Sequence, residues 1–139
     1  MPKGNAVFVA EDDVETQVFG WGKLSWLSEP RVTRAERLSA GVVSLEPGKG
    51  HERHNHPGVE EILYVLSGTG EQTVDIDGAT LRREVSSGVL IHIPPDVYHS
   101  TVNTGQGAMR LLAIYAPPGP EAELRAMEGV RIEPPQRSR

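Results

Sequence analysis

The decisive stretch is Gly48-Lys49-Gly50-His51-Glu52-Arg53-His54-Asn55-His56-Pro57, with Glu61-Ile62-Leu63-Tyr64-Val65-Leu66 and a closing Gly68 shortly after it. All five histidines of the chain fall between His51 and His99. In an extended segment, side chains two residues apart point to the same face, so His54 and His56 can converge on one metal ion. Glu61 opens an apolar run, where a carboxylate is expensive unless it has a partner, and a cation is one. A second unit starts at Gly88 and runs through Val89–Ile93, Pro94-Pro95-Asp96, His99 and Asn103. Its Pro-Pro turn can fold the strand carrying His99 back over the first unit.

Outward from these units the chain reads as short strands punctuated by glycine and proline. Predicted strands are Leu38–Leu45, Glu60–Leu66, Glu71–Ile76, Ala79–Arg83, Gly88–Ile93, His99–Asn103 and Met109–Ala116. Most are rich in Val, Ile, Leu or Thr, and several alternate with polar residues. Asp77-Gly78 between two of them marks a tight hairpin, since both turn positions need φ > 0. Strands at this spacing indicate an antiparallel sandwich or barrel. One helix is expected, opened by Gly119-Pro120-Glu121, with Leu124 and Met127 on one face and Gly129 ending it. The tail Glu133–Arg139 is expected to be frayed or extended.

Four of the seven aromatics (Phe8, Phe19, Trp21, Trp26) lie in the first 30 residues. Such a segment suits either an extra outer strand of the same core or a contact with a second subunit. The expected organisation is an N-terminal extension with an aromatic strand segment (1–36), a barrel (37–117), and a short helix with an extended tail (118–139).

Composition narrows the function. The chain has 139 residues and no cysteine, which excludes disulfides, zinc–thiolate sites, iron–sulfur clusters and Cys nucleophiles. Any metal must be held by nitrogen and oxygen. A formal net charge of -5 argues against a nucleic-acid partner. The longest wholly apolar stretch, Leu111–Ala116, is far below the ~20 residues of a membrane span. The start of the chain turns acidic too early for a signal peptide, so a soluble cytoplasmic protein is expected.

These residues resemble the cupin superfamily, specifically its single-domain, cupin-2-like barrels. The first motif of that family is Gly, five residues, His-x-His, three or four residues, Glu, six residues, Gly, and Gly48, His54, His56, Glu61 and Gly68 match it. The second is Gly, five residues, Pro-x-Gly, two residues, His, three residues, Asn. Gly88, Pro94, His99 and Asn103 match, and Asp96 replaces the family's Gly. Asp tolerates left-handed backbone better than most residues, so the departure is mild. The resemblance implies an all-β double-stranded β-helix, or jelly-roll, cupin barrel with the short C-terminal helix beside it. It also implies His54, His56, Glu61 and His99 as ligands of a divalent transition metal, and a homodimer.

Three neutral imidazoles and one carboxylate suit Fe, Mn, Ni, Cu or Zn. On an octahedral ion about two positions stay open, and the net charge of +1 favours an anionic or enolate-forming ligand. The open ligand set motivates a metal-dependent enzyme on a small oxygenated molecule, and the resemblance implies its reaction classes, dioxygenase or oxidase slightly ahead of isomerase, decarboxylase or lyase. The alternative is a non-catalytic barrel that binds a sugar or organic anion. No residue is singled out as the proton carrier. His51, off the His-x-His parity, is assigned beside the metal and not on it. His92 and Tyr64 are expected outside the cavity, and the arginines at 31, 34, 37, 82 and 83 on a solvated face from which one could reach a substrate. Proton competition for the histidines is expected to strip the metal near pH 6.

Overall fold

The structure is a computed structural model that describes residues 5–137. Positions 1–4 of the expected extension and 138–139 of the expected tail lie outside the described residues. A 3-10 turn (Glu11–Asp13) leads into β1 (Thr16–Val18) and β2 (Lys23–Ser28), and a one-turn helix α1 (Pro30–Thr33) precedes β3 (Ser39–Leu45). The chain continues through β4 (Gly50–His54), β5 (Glu60–Ser67), β6 (Thr69–Ile76), β7 (Ala79–Ser86), β8 (Leu90–Ile93), β9 (His99–Asn103) and β10 (Met109–Ala116). Helix α2 (Pro120–Arg125) and β11 (Arg131–Glu133) end it. The pairing is antiparallel, in a seven-stranded sheet ordered β11-β1-β2-β3-β10-β5-β8 and a four-stranded sheet ordered β4-β9-β6-β7. This is the antiparallel all-β architecture that the strand spacing indicates and the jelly roll that the family resemblance implies.

Period-two alternation builds the core. Strand β10 turns Met109, Leu111, Ala113 and Tyr115 inward, and β5 turns Glu61, Leu63 and Val65 inward. They meet Val74 and Val85 from the smaller sheet. Each fully buried Leu or Val contributes about 1.5–3 kcal/mol, so this seam drives the sheets together. At the hairpin between β6 and β7, Asp77 and Gly78 have φ of 52° and 77°, as a primed turn requires. Gly68, in the turn between β5 and β6, has φ 87°, and a Cβ there would lie 2.8 Å from the Ala108 carbonyl oxygen.

The predicted strands are all present within a few residues of their expected ends. Three of the four N-terminal aromatics join the same core, Trp26 within it and Phe19 and Trp21 packed against it, while Phe8 is exposed. Trp26 is buried, packs on Tyr115 with ring centroids 5.5 Å apart, and donates to Gln17 Oε1 at 2.9 Å. Gln17 donates in turn to the Glu121 carbonyl at 3.2 Å, tying α2 to the sheet.

One expectation at the C-terminus is corrected. Helix α2 stops at Arg125, so Met127 does not share its buried face and is 47% exposed. Of the two forms expected for the tail, the described part takes the extended one: Arg131–Glu133 pairs with β1, and the Arg137 N–H donates to the Asp12 carbonyl at 2.9 Å. Strand β1 offers an otherwise open edge, and the tail supplies its hydrogen bonds.

Asn103 shows why the second motif ends in an amide. Its side chain is fully buried and donates to the Leu45 carbonyl at 2.9 Å and the Gly107 carbonyl at 2.8 Å, while Oδ1 accepts from the Gly105 N–H at 2.8 Å. No other side chain of that size supplies two donors and an acceptor there. Asn103→Asp, nearly isosteric, sets a carboxylate against two carbonyls, and Asn103→Ala leaves three backbone groups bare. Each is expected to lower the unfolding free energy by about 2–4 kcal/mol, read by urea denaturation; a loss below about 0.5 kcal/mol would show that the turn holds without the amide.

Candidate metal centre

Two cross-strand pairs and one loop assemble the site. His54 at the end of β4 lies opposite His99 at the start of β9, on the smaller sheet. Glu61 near the start of β5 lies opposite Tyr115 of β10, on the larger sheet. His56 comes from residues 55–59, the connection that carries the chain between sheets. His54 and His56 converge as their spacing suggests, although paired strand β4 ends at His54 and His56 lies in the connection beyond it.

Parity misleads at His51. Residues His51 and His54 pair with Thr101 and His99, so three steps along β4 match two along β9. The extra residue is a β-bulge, which returns His51 to the face of His54. Their rings stack with centroids 3.6 Å apart. His51 belongs to a strand and lines the pocket, outside the compact His54, His56 and His99 group.

The ligand nitrogens of His54, His56 and His99 all lie within 4.8 Å of one another. Glu61 approaches from the other sheet, with Oε1 3.1 Å from His99 Nε2 and 3.7 Å from His56 Nε2. None of these atoms is aligned for a hydrogen bond, and His56 Nε2, His99 Nε2 and Glu61 Oε1 are buried without a partner. The far side of two rings is tied down. His54 Nδ1 lies 2.6 Å from the Glu52 carbonyl oxygen and His99 Nδ1 2.9 Å from that of Val97. A carbonyl only accepts, so Nδ1 carries the proton and Nε2 presents its lone pair inward, the arrangement metal-binding imidazoles use.

The electrostatics keep the rings neutral. Burial, joined by repulsion from the neighbouring imidazoles, lowers the pKa of His51 to about 3 and of His54 and His56 to about 4. Metal-free His54 and His56 therefore take up protons near pH 4, below the pH 6 that the ordinary imidazole value implies. Tyr115, which sequence reading did not single out, hydrogen-bonds the Glu61 carboxylate, and burial together with that negative charge pushes its phenol pKa up. No local motif marks it; only the β5–β10 register sets it opposite Glu61.

The pocket behind Trp21 has about 30 Å³ of room for water-sized centres and is walled by Leu24, Leu45, Leu63, Leu111 and Leu124. Among the described residues that line it there is no Lys or Arg. Arg82 pairs with Glu71 at 2.7 Å and Arg31 approaches Glu15 at 4.0 Å, both away from it. His92 pairs with Glu60 on the exposed surface, and Tyr64 is also exposed.

The sequence profile of the cupin domain matches residues 41–115, the span that carries His54, His56, Glu61, His99 and Tyr115. The chain belongs to the cupin family. This cupin is 34% identical to protein SchB of Streptomyces halstedii over 124 residues, covering 89% of the chain and 87% of SchB. It is 32% identical to the polyketide synthase CurC of Streptomyces cyaneus over 103 residues, 74% of the chain and 64% of CurC. Among solved structures, KdgF from Halomonas sp. matches with a TM-score of 0.70 at 19% identity, covering 84% of this cupin and 98% of KdgF, a likeness of fold. The oxalate decarboxylase of Lactobacillus farciminis, in its formate complex, matches with a TM-score of 0.69 at 25% identity over 75% of this cupin. This cupin spans only 31% of that enzyme.

Asp96 stands where the family pattern has Gly. Its φ is 71°, so the backbone keeps the glycine-like conformation. The side chain adds a bond glycine cannot make, since Oδ1 accepts from the Gly58 N–H at 2.9 Å; the backbone carbonyl of Asp96 accepts from Asn55 Nδ2 at 3.1 Å. Both partners flank His56. Asp96→Ala keeps the strained backbone and loses the carboxylate bond. It is expected to lower stability by about 1–2 kcal/mol and to weaken metal affinity more than Asp96→Asn does, measured by thermal melting and competition with a metal-binding dye. Equal affinities for the two variants would remove the loop-fixing role.

The lowered histidine pKa values carry a stability sign. Below the ordinary value of 6.5 the unfolded chain binds protons that His51, His54 and His56 refuse when folded. Stability of the metal-free protein is thus full above pH 6.5 and falls with pH, levelling only below about 4 and 3. Urea denaturation in EDTA is expected to show this fall between pH 6.5 and 5, with a shallower slope in the His54→Asn/His56→Asn double variant. Equal slopes would assign the fall to other groups.

Proposed function

We propose that this cupin is a metal-dependent enzyme acting on a small oxygenated molecule, anionic or enolisable, held at an open site of His54, His56, His99 and Glu61. The observation that carries this reading is the set of buried atoms without partners, His56 Nε2, His99 Nε2 and Glu61 Oε1. A buried polar group left bare costs about 1–3 kcal/mol, and more when charged; one divalent ion relieves all three. The donor set is all nitrogen and oxygen, which suits Fe, Mn, Ni, Cu or Zn. When bound, the metal would polarise a substrate oxygen and, if redox-active, open chemistry with O₂.

The chain's own residues do the rest. The Glu52 and Val97 carbonyls hold His54 and His99 in the tautomer that faces inward. Tyr115 orients Glu61, and the leucine wall excludes water. Free proton carriers are scarce. The Thr101 hydroxyl donates to Gln72 Oε1 at 2.5 Å, Tyr115 is engaged by Glu61, and His51 lies flat between Trp21 and His54. Scarcity of proton carriers favours a dioxygenase or oxidase over an isomerase, decarboxylase or lyase. A dioxygenase places both atoms of O₂ in its product and needs no outside reductant. The name of CurC supports the enolisable substrate, because polyketide chains carry 1,3-dicarbonyl units that enolise and chelate through two oxygens. A homodimeric, cytoplasmic protein belongs to the same proposal; among the described residues no helix is long and apolar enough to cross a membrane.

Protein purified without chelators or a metal column is expected to carry about one divalent transition-metal ion per chain by elemental analysis. His54→Ala and Glu61→Ala should each lose most of it while remaining folded. Metal-loaded protein is expected to consume O₂ with acetylacetone or catechol. No turnover of oxygenated substrates, with or without O₂, would overturn catalysis and leave the barrel as a binding module.

A further inference from the structure

The two sheets differ on the faces they turn away from the core. The smaller sheet carries ion pairs outward, Arg53 with Asp75 at 2.8 Å and Arg82 with Glu71 at 2.7 Å, as a solvated face does. The larger sheet does not. One cross-strand row of its outward positions runs Val42, Leu112, Tyr64 and Leu90 over β3, β10, β5 and β8. The next row runs Ala40, Ile114 and Ile62 and ends at His92. Tyr64 and Leu90 are 39% and 55% exposed, and Leu66, further along β5, is 42% exposed. A strand buried on one face alternates, whereas a strand buried on both reads as a continuous apolar run. Ile62–Leu66 and Leu111–Ala116 are runs of the second kind, yet the single chain covers only one of their faces.

Size and charge say what covers the other face. Four strands about 4.8 Å apart, with about seven residues each at about 3.4 Å, make a face of about 19 by 24 Å. A contiguous apolar patch above a few hundred Å² marks an interaction site. A specific interface takes about 800 Å² of accessible surface from each subunit, which this corrugated face and its rim can supply. The charged outward residues lie at opposite ends of the strands. Lys23 and Arg110 share a row at one end, and Glu60 stands at the other. Each end is also held within the chain, Arg110 by Glu11 at 2.5 Å and Glu60 by His92. A two-fold axis lying in the face and across the strands turns one end onto the other. It sets Arg110 beside the partner's Glu60 twice over, and lays Leu112 and Tyr64 on the partner's Ile114 and Ile62. An axis along the strands brings like charges together, which is costly. The aromatic N-terminal segment, also suited to a subunit contact, packs Phe19, Trp21 and Trp26 on its own core.

We infer that the outward face of β3, β10, β5 and β8 is the contact of a two-fold homodimer, with Tyr64 and Leu112 at its centre. The inference goes beyond the homodimer proposed above by naming its face and its axis, and it is independent of the metal. Strands β5 and β10 carry Glu61 and Tyr115 on their inner side, so the contact backs the two strands that hold the carboxylate.

The test is sedimentation equilibrium on the full-length protein at about 20 μM, which keeps a dimer of micromolar or tighter Kd together. The wild type is expected at twice the 15.1 kDa of one chain. Tyr64→Glu and Leu90→Glu, at positions exposed in the single chain, should each raise the dimer Kd at least about thirtyfold with an unchanged circular dichroism spectrum. Arg110→Glu and Glu60→Arg should each raise it about tenfold, and the double exchange should recover the wild-type value within about threefold. Phe8→Ser, at the exposed N-terminal aromatic, should leave the dimer unchanged. A wild type that sediments as one chain overturns the homodimer itself. A dimer that survives both Tyr64→Glu and Leu90→Glu in folded protein overturns this face alone. A double exchange that stays as weak as the single variants overturns the axis across the strands.

Discussion

Glu61 is 3% exposed, with its Oε1 among imidazole nitrogens and bonded to none of them. A carboxylate in that position is the constraint around which the rest of the molecule is arranged. Its cost is reduced on one side by the Tyr115 hydroxyl. On the other side burial and the neighbouring imidazoles lower the pKa of His54 and His56, so these rings offer lone pairs and not positive charge. One divalent cation would satisfy such a set of lone pairs at once, as proposed above. The fold thus holds a set of acceptors in place before any ligand arrives, and it does so at a stability cost that the apolar seam between the sheets offsets.

The seam and the site are two ends of the same alternation. On β5 the inward positions run Glu61, Leu63, Val65, and on β9 they run His99, Thr101, Asn103. A strand that packs leucine and valine deep in the barrel presents a metal-binding group near its mouth, two residues along. The site is as rigid as the sheets because its residues are members of them. The exception is His56, carried by the connection between sheets, and there Asp96 supplies the bond to Gly58 that the sheet cannot. At the opposite end of the second motif, Asn103 ties β9 to Leu45 and to the 105–107 turn.

Strands with an apolar face, such as β5 and β10, were legible because burial on one face writes a period of two into the sequence. Strand β4, Gly-His-Glu-Arg-His, was not, because it is an edge strand with two exposed positions and carries no apolar alternation. The short strands β1 and β11 were hidden for the same reason, since three residues hold too little pattern to read. The helix was placed correctly at its start, where Pro120 fixes the backbone, and overextended at its end, where Met127 turns to solvent.

By itself the sequence determined the fold class and which residues could reach a metal, since fixed spacings between Gly, His, Glu and Asn encode turns and faces that hold in any strand pairing. Only the tertiary structure decided how they meet. The bulge in β4 reversed the parity that had set His51 aside, and the connection beyond β4 carries His56 to the same place as His54 and His99. The β5–β10 register put Tyr115 beside Glu61, and the turn after β1 laid Trp21 across the pocket mouth. Each of these depends on contacts between segments far apart in the chain, and local periodicity carries no record of which distant strand a residue will face.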